Sequence, residues 1–180
     1  WRPTRGMGRH HHLAGGGLVG ESGWDATLTP LAATTEEWTA LLTPPCTGRE
    51  CTLRRTWTPD AGVNETRPIT NVRWHEALAF CIWDNGFLPT EREWEFAAVG
   101  GSEQRQYPQG QLADANDVSL PEPRGPSADG GEQWPFVGSR PASAGRWGHL
   151  DLAGGVVEPM LDGYADPDPL KNCTDCAYVY

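Results

Sequence analysis

The sequence predicts a loop-rich α+β domain with two or three short helices and short irregular strands. Three observations point there. Apolar residues make up 38% of the 180, below the usual share for a soluble domain, while 22 glycines and 16 prolines are many. Helical periodicity holds in only three segments. The pieces with strand character near the C-terminus, in "HLDLAGGVVEPMLDGYADPDP" (residues 149–169), are broken by glycine and proline. At this length the chain makes one domain with a core of ordinary size, and its nine tryptophans are expected to supply volume that the aliphatics do not.

The elements follow in chain order. Residues 1–23 carry dense glycine and no period, so a mobile loop is expected; of His10, His11 and His12, only His10 and His12 point the same way on extended backbone and could share an ion. "TTEEWTALL" (Thr34–Leu42) reads as a helix capped by Thr34 or Thr35 and stopped before Pro44. In "NVRWHEALAFCIWDNG" (Asn71–Gly86), Trp74, Ala77, Leu78, Cys81 and Ile82 recur at the spacing of a buried helical stripe. Cys81 is therefore a core residue before it is a reactive thiol. In "GFLPTEREWEFAAVGG" (Gly86–Gly101), Thr90 and Glu93 form a capping box, Trp94, Ala97 and Ala98 share a face, and Gly100 supplies the stop. Glu91 and Glu93 fit a helix N-terminus on dipole grounds, which accounts for them without acid–base chemistry. Residues 102–147 are dominated by loop.

The charge balance disfavours several functions. With 24 acidic and 14 basic residues the net charge is −10, and the basic residues are scattered. Nucleic acid and anionic membrane surfaces need clustered Lys and Arg, so both are disfavoured as partners, and an acidic chain with paired carboxylates suits a divalent cation better. No apolar run reaches the length of a membrane span. No secretory leader is visible and the first methionine is Met7, so the N-terminus shown is expected not to be a natural start. No G-x-S-x-G or phosphate loop occurs, and His75 and His149 have no identifiable nucleophile partner. The five cysteines form two close pairs, Cys46/Cys51 and Cys173/Cys176, plus Cys81, which suggests two local disulfides, one buried thiol and an oxidising compartment. The "CTDC" pair also admits redox and zinc readings, but no helix follows it to lower a thiol pKa. Asn64-Glu65-Thr66 and Asn172-Cys173-Thr174 fit the N-glycosylation pattern.

Four landmarks in order, "SGWD" (Ser22–Asp25), "RPITNVRW" (Arg67–Trp74), "AFCIWDNGFLPTEREWEFAAVGGSEQRQYP" (Ala79–Pro108) and "GRWGHLDLAG" (Gly145–Gly154), carry a resemblance. They are similar to the formylglycine-generating enzyme family, also called sulfatase-modifying factors, and most to its secreted bacterial paralogues. The resemblance runs over about residues 20–178 and divides the chain into an irregular segment 1–20 and a partial family domain 21–180. It implies a C-type-lectin-like variant fold stabilised by Ca²⁺, an extracytoplasmic or secreted monomer, and a protein or peptide as substrate or ligand. In active relatives the reaction is oxidation of a substrate cysteine to formylglycine; the alternative is a non-catalytic, calcium-stabilised lectin-like binding or display module.

The resemblance also assigns sites. Asp151 and Glu158 (side chains) with Gly154 and Val156 (main-chain oxygens) match a family calcium loop, and the chemistry agrees, since Ca²⁺ takes carboxylate and carbonyl oxygens in a flexible shell. A second calcium site maps loosely onto Asn116, Asp117, Asp129 and Gly131. The chain departs from the family pattern at several points: "GGVVEP" stands for "GNVWEW", Gln109 for the tryptophan of "YPWG", Phe87 for an arginine, Gly163 for a tryptophan, and Arg73 for a helix-capping Ser/Thr. Nothing after Gly154 matches the family's arginine-glycine-glycine-serine strand or its two copper-binding cysteines. No catalytic residue is therefore implied here, and copper only with a further C-terminal segment.

Overall fold

Thr34, Arg73 and Thr90 each precede a helix, and the three helices start by different means. In this computed structural model the described residues are 1–10, 23–25, 27, 30–45, 47, 55–110, 118–120, 122–123 and 132–162. Among them are α1 (Thr35–Leu42), α2 (Trp74–Trp83), α3 (Glu91–Ala98), 3₁₀ turns at Gly101–Glu103 and Pro141–Ser143, and strands β1 (Glu122–Pro123) and β2 (Glu132–Gln133). The chain divides into two compact units. One contains Trp1–Leu31, Arg73–Trp94 and Glu158–Tyr180; the other contains Ala32–Val72 and Glu95–Val157.

The first unit is built on α2. The sequence places a helix over 71–86, and the structure trims it to ten residues because Arg73 is extended and Asn85 is left-handed (φ +62°). Arg73 lacks a capping hydroxyl. Glu76 replaces it from inside the helix, accepting the Arg73 N–H at 2.9 Å and three further bonds from its guanidinium. The Glu76 carboxylate is buried, so this reciprocal pair is what allows a charge in the first turn. At the other end the Gly86 N–H donates to the Cys81 carbonyl (2.8 Å) and the Asn85 N–H to that of Ile82 (3.1 Å), a Schellman closure with asparagine in the left-handed position.

Leu78, Ala79, Ile82, Leu88 and Trp24 form the buried core of this unit, flanked by Leu31, Trp74, Ala77 and Cys81. The stripe read from the sequence is thus the inner face, with Ala79 added to it. The N-terminal residues close over this core. Gly6 and Trp24 pair through Gly6 N–H to Trp24 O (2.9 Å) and Trp24 N–H to Met7 O (2.8 Å). His10 is not in a mobile loop: it is 2% exposed, with its ring 4.1 Å from that of Phe87 and Nε2 3.6 Å from a Glu93 oxygen. Phe87, which departs from the family pattern, thus packs against a histidine that no sequence period singled out.

The tryptophans correct the expectation that they fill the core. Only Trp24 of the nine is buried, whereas Trp1, Trp83 and Trp147 are exposed. Trp74 and Trp94 serve instead as hydrogen-bond donors to a later segment. The Trp74 indole donates to the Met160 carbonyl (2.6 Å) and the Trp94 indole to a Glu158 carboxylate oxygen (2.8 Å). The Leu161 N–H adds a bond to Pro89 O (2.7 Å), which seats Leu161 at 2% exposure. At the start of α3, Thr90 and Glu93 form the capping box (2.8 and 3.2 Å), and Asp162 accepts the Glu91 N–H at 2.7 Å, an acceptor from seventy residues away that local sequence does not announce.

In the second unit α1 starts on the Thr34 hydroxyl, which accepts the Glu37 N–H. Its end is held by Asn71, whose side-chain amide donates to Leu42 O (2.9 Å). The end of α3 turns on Gly100 in the left-handed region (φ +68°), after which the Arg105 N–H returns to Val99 O (2.8 Å). Arg146 reaches Gly100 O (2.8 Å) and Glu103 (3.2 Å), and the neighbouring Trp147 stacks on Phe96 with centroids 5.3 Å apart. Arg67 donates to the Trp134 carbonyl and lies 4.4 Å over the Phe136 ring. β1 and β2 pair antiparallel, Glu122 opposite Gln133. The expected strands after His149 reduce, among the described residues, to one parallel bridge between Ser119 and Gly154. Gln109, in the place of a family tryptophan, has both amide atoms buried without a hydrogen-bond partner among the described residues.

Candidate functional site

The expected calcium loop is reached through a turn in which the Gly148 N–H donates to Gly145 O and the Gly145 N–H to His149 O. Asp151 then adopts φ +60°, a left-handed conformation that aspartate tolerates better than most residues. Its carboxylate is fixed at both oxygens: the Ser119 hydroxyl donates to Oδ1 (2.8 Å) and the Gly138 N–H to Oδ2 (2.7 Å). Both donors are neutral, so the charge of Asp151 is oriented and not cancelled, and each oxygen keeps acceptor capacity.

The chain beyond Asp151 pairs with the same serine. The Ser119 N–H donates to Ala153 O (3.0 Å) and the Gly155 N–H to Ser119 O (2.6 Å). Gly154 (φ +84°) and Gly155 (φ +76°) are both left-handed, which curls the backbone after the bridge. Ser119 lies so close that a Cβ on Gly154 would stand 2.7 Å from its carbonyl oxygen and 2.8 Å from Val118 Cγ1. Among the described residues the carbonyls of Gly154 and Val156 accept no hydrogen bond. Glu158 belongs to the first unit, where it is exposed and its carboxylate accepts the Trp94 indole N–H. The residues of the second unit fit an oxygen-binding cation on their chemistry: an oriented carboxylate and two carbonyls that accept no hydrogen bond among the described residues. No group of three or more His, Cys, Asp or Glu side chains suited to a metal occurs among the described residues, so an ion here would depend on main-chain oxygen.

Ser119 and Gly138, which hold Asp151, are absent from the sequence-based site. They lie 32 and 13 residues away from it, and the only local signal was the small residue type. The second calcium set (Asn116, Asp117, Asp129, Gly131) and the paired cysteines (Cys46, Cys51, Cys173, Cys176) lie outside the described residues, as does His12.

Cys81 is the one cysteine described, and it is free. Burial on α2 pushes its thiol pKa up, and the Asp84 carboxylate adds to the shift. A raised pKa depletes the thiolate at neutral pH, the opposite of what a metal-binding or nucleophilic cysteine requires. In the folded chain Cys81 should therefore react with iodoacetamide at pH 7 several-fold more slowly than the same thiol in guanidinium. Equal rates would show that burial does not protect it.

With fold and loop established, comparison with known proteins is decisive. Residues 22–178 match the family described as the sulfatase-modifying factor enzyme 1-like domain. The chain belongs to the sulfatase-modifying-factor family. Its relatives include the bovine protein named inactive C-alpha-formylglycine-generating enzyme 2, 36% identical over 116 residues, which cover 61% of this chain and 38% of that one. A formylglycine-generating enzyme of Thermomonospora curvata is 34% identical over 112 residues, covering 54% and 34% of the two chains. A protein of Chlamydia caviae named serine/threonine-protein kinase pkn1 is 34% identical over 97 residues, covering 54% and 14%. This sulfatase-modifying-factor domain thus matches little more than a third of the length of the first two. No solved structure matches the chain. No helix among the described residues is long and apolar enough to cross a membrane.

Proposed function

We propose that this chain is the calcium-stabilised scaffold part of a formylglycine-generating-enzyme-type domain, with the C-type-lectin-like arrangement of that family. On this reading the 180 residues do not oxidise cysteine on their own. The observation that carries it is the Asp151 loop, which holds a carboxylate fixed at both oxygens and two carbonyls that accept no hydrogen bond among the described residues. Asp151, Gly154 and Val156 would hold Ca²⁺, with Glu158 the second carboxylate of the sequence pattern. The ion would supply the positive charge that keeps the curled loop closed. A second set at Asn116, Asp117, Asp129 and Gly131 belongs to the same proposal, as do the Cys46/Cys51 and Cys173/Cys176 disulfides, a monomeric state and an extracytoplasmic location.

Oxidation of a substrate cysteine to formylglycine, the reaction of active relatives, needs copper on a cysteine pair. The one described cysteine, Cys81, has its thiol shifted the wrong way for that role. Incubated with Cu(I) and a cysteine-containing peptide, the chain should consume no more oxygen than buffer with the same copper. Peptide-dependent oxygen uptake accompanied by loss of the peptide thiol would overturn the reading.

A second reading, a non-catalytic module that binds or displays a protein or peptide ligand, is favoured by the names of the relatives. The same domain occurs in proteins called inactive formylglycine-generating enzymes and in a protein called a kinase, so the fold is not tied to one reaction.

A further inference from the structure

Asn85–Gly86 is the only Asn-Gly step in the chain; the other asparagines, at 64, 71, 116 and 172, precede Glu, Val, Asp and Cys. It lies at the C-terminal closure of α2. Both residues are exposed, and the Asn85 side-chain amide has no hydrogen-bond partner among the described residues. The Gly86 nitrogen, by contrast, is engaged through its N–H on Cys81 O at 2.8 Å. The electrophilic Cγ is thus open to solvent, next to a nitrogen on a residue with no Cβ to hinder attack, while the cap hydrogen bond restrains that nitrogen.

We infer that Asn85–Gly86 is a site of spontaneous conversion to aspartate and isoaspartate, gated by opening of the α2 cap. The Gly86 nitrogen gives up its proton and bonds to Asn85 Cγ, closing a five-membered succinimide; the side-chain nitrogen takes a proton and leaves as ammonia. Water then adds to one of the two imide carbonyls and the ring opens to aspartate or isoaspartate. No redox change occurs, and water is the only co-reactant. The consequence follows from the cap. An imide nitrogen has no hydrogen to donate to Cys81, and an isoaspartyl link inserts an extra methylene into the main chain. That insertion falls two residues before Leu88, a buried core residue, and three before Pro89, whose carbonyl anchors Leu161. The modification therefore loosens the turn that joins α2 to α3.

The test incubates the full chain and its Gly86→Ala and Asn85→Gly variants at mildly alkaline pH, both folded and in guanidinium. Isoaspartate is read with an isoaspartyl methyltransferase as probe, and its position by peptide mapping. Gly86 has an ordinary backbone conformation, and its nearest neighbour to an added Cβ, Cys81 O, is 3.6 Å away, so Gly86→Ala keeps the fold. Asn85→Gly suits the left-handed position. The label should fall on the peptide containing Asn85, drop sharply in Gly86→Ala and vanish in Asn85→Gly. It should form about tenfold more slowly in the folded chain, as expected when a capping hydrogen bond must first open. No isoaspartate at Asn85 would remove the site, and equal rates in folded and unfolded chain would remove the gate.

Discussion

Leu78→Ala should destabilise the chain by about 2–5 kcal/mol, the range for emptying a fully buried leucine site. Leu78 is 1% exposed and shares its cluster with Trp24, Ala79, Ile82 and Leu88. The site cannot easily collapse, because the surrounding groups come from separate parts of the chain, each fixed by its own hydrogen bonds. Small domains hold only about 5–15 kcal/mol in total, so this one change would remove a large fraction of it. Val157→Ala is the matched control. Val157 stands where the family has a tryptophan, is 97% exposed, and should change stability by no more than about 0.5 kcal/mol. Urea titration measures both; a loss below about 1 kcal/mol for Leu78→Ala would mean that the core is not where the structure places it.

Gly154→Ala should cost about 2–4 kcal/mol through two additive causes. Backbone at φ +84° strains any residue with a Cβ by roughly 1–2 kcal/mol. The added carbon also meets Ser119 O and Val118 Cγ1 below 3 Å, and the first of these is backbone that cannot step aside. Gly148→Ala separates the causes, because Gly148 has the same backbone sign (φ +85°) with nothing within 4 Å. It should show only the conformational part, about 1–2 kcal/mol. For a chain of this size the melting temperature should fall by roughly 2–4 °C per kcal/mol. Equal shifts for the two variants would mean that the Ser119 bridge is not formed as described.

Much of the fold was legible because it rests on local rules. The Thr34 cap, the capping box at Thr90, the stripe on α2 and the glycine stop after α3 all depend on residues within a few positions of each other. The failures have a common cause in partners that are distant in sequence. Asp162 supplies a second acceptor to α3 from 71 residues away, and His10 is buried against Phe87. The tryptophans were misjudged for the same reason. Trp74 and Trp94 look like core by composition, yet their indole N–H groups are committed to Met160 and Glu158, more than sixty residues onward. At the candidate site the order Asp, Gly, Val, Glu was readable. The serine and the backbone amide that orient Asp151 were not, since neither residue type marks such a role.

The most direct test of a calcium-stabilised scaffold is the melting temperature of the chain in excess Ca²⁺ and after chelation, for wild type, Asp151→Asn and Glu158→Gln. Glu158→Gln keeps an oxygen acceptor for the Trp94 indole, Asp151→Asn can keep the Gly138 N–H on its amide oxygen while its NH2 donates to the Ser119 hydroxyl, and each removes one negative charge. A ligand at about a hundred times its Kd adds roughly 2.7 kcal/mol, so calcium should raise the wild-type melting temperature by roughly 5–10 °C. Each variant should lose most of that increment while melting close to chelated wild type without calcium. A wild-type melting temperature indifferent to calcium, or an increment that survives in both variants, would contradict the account.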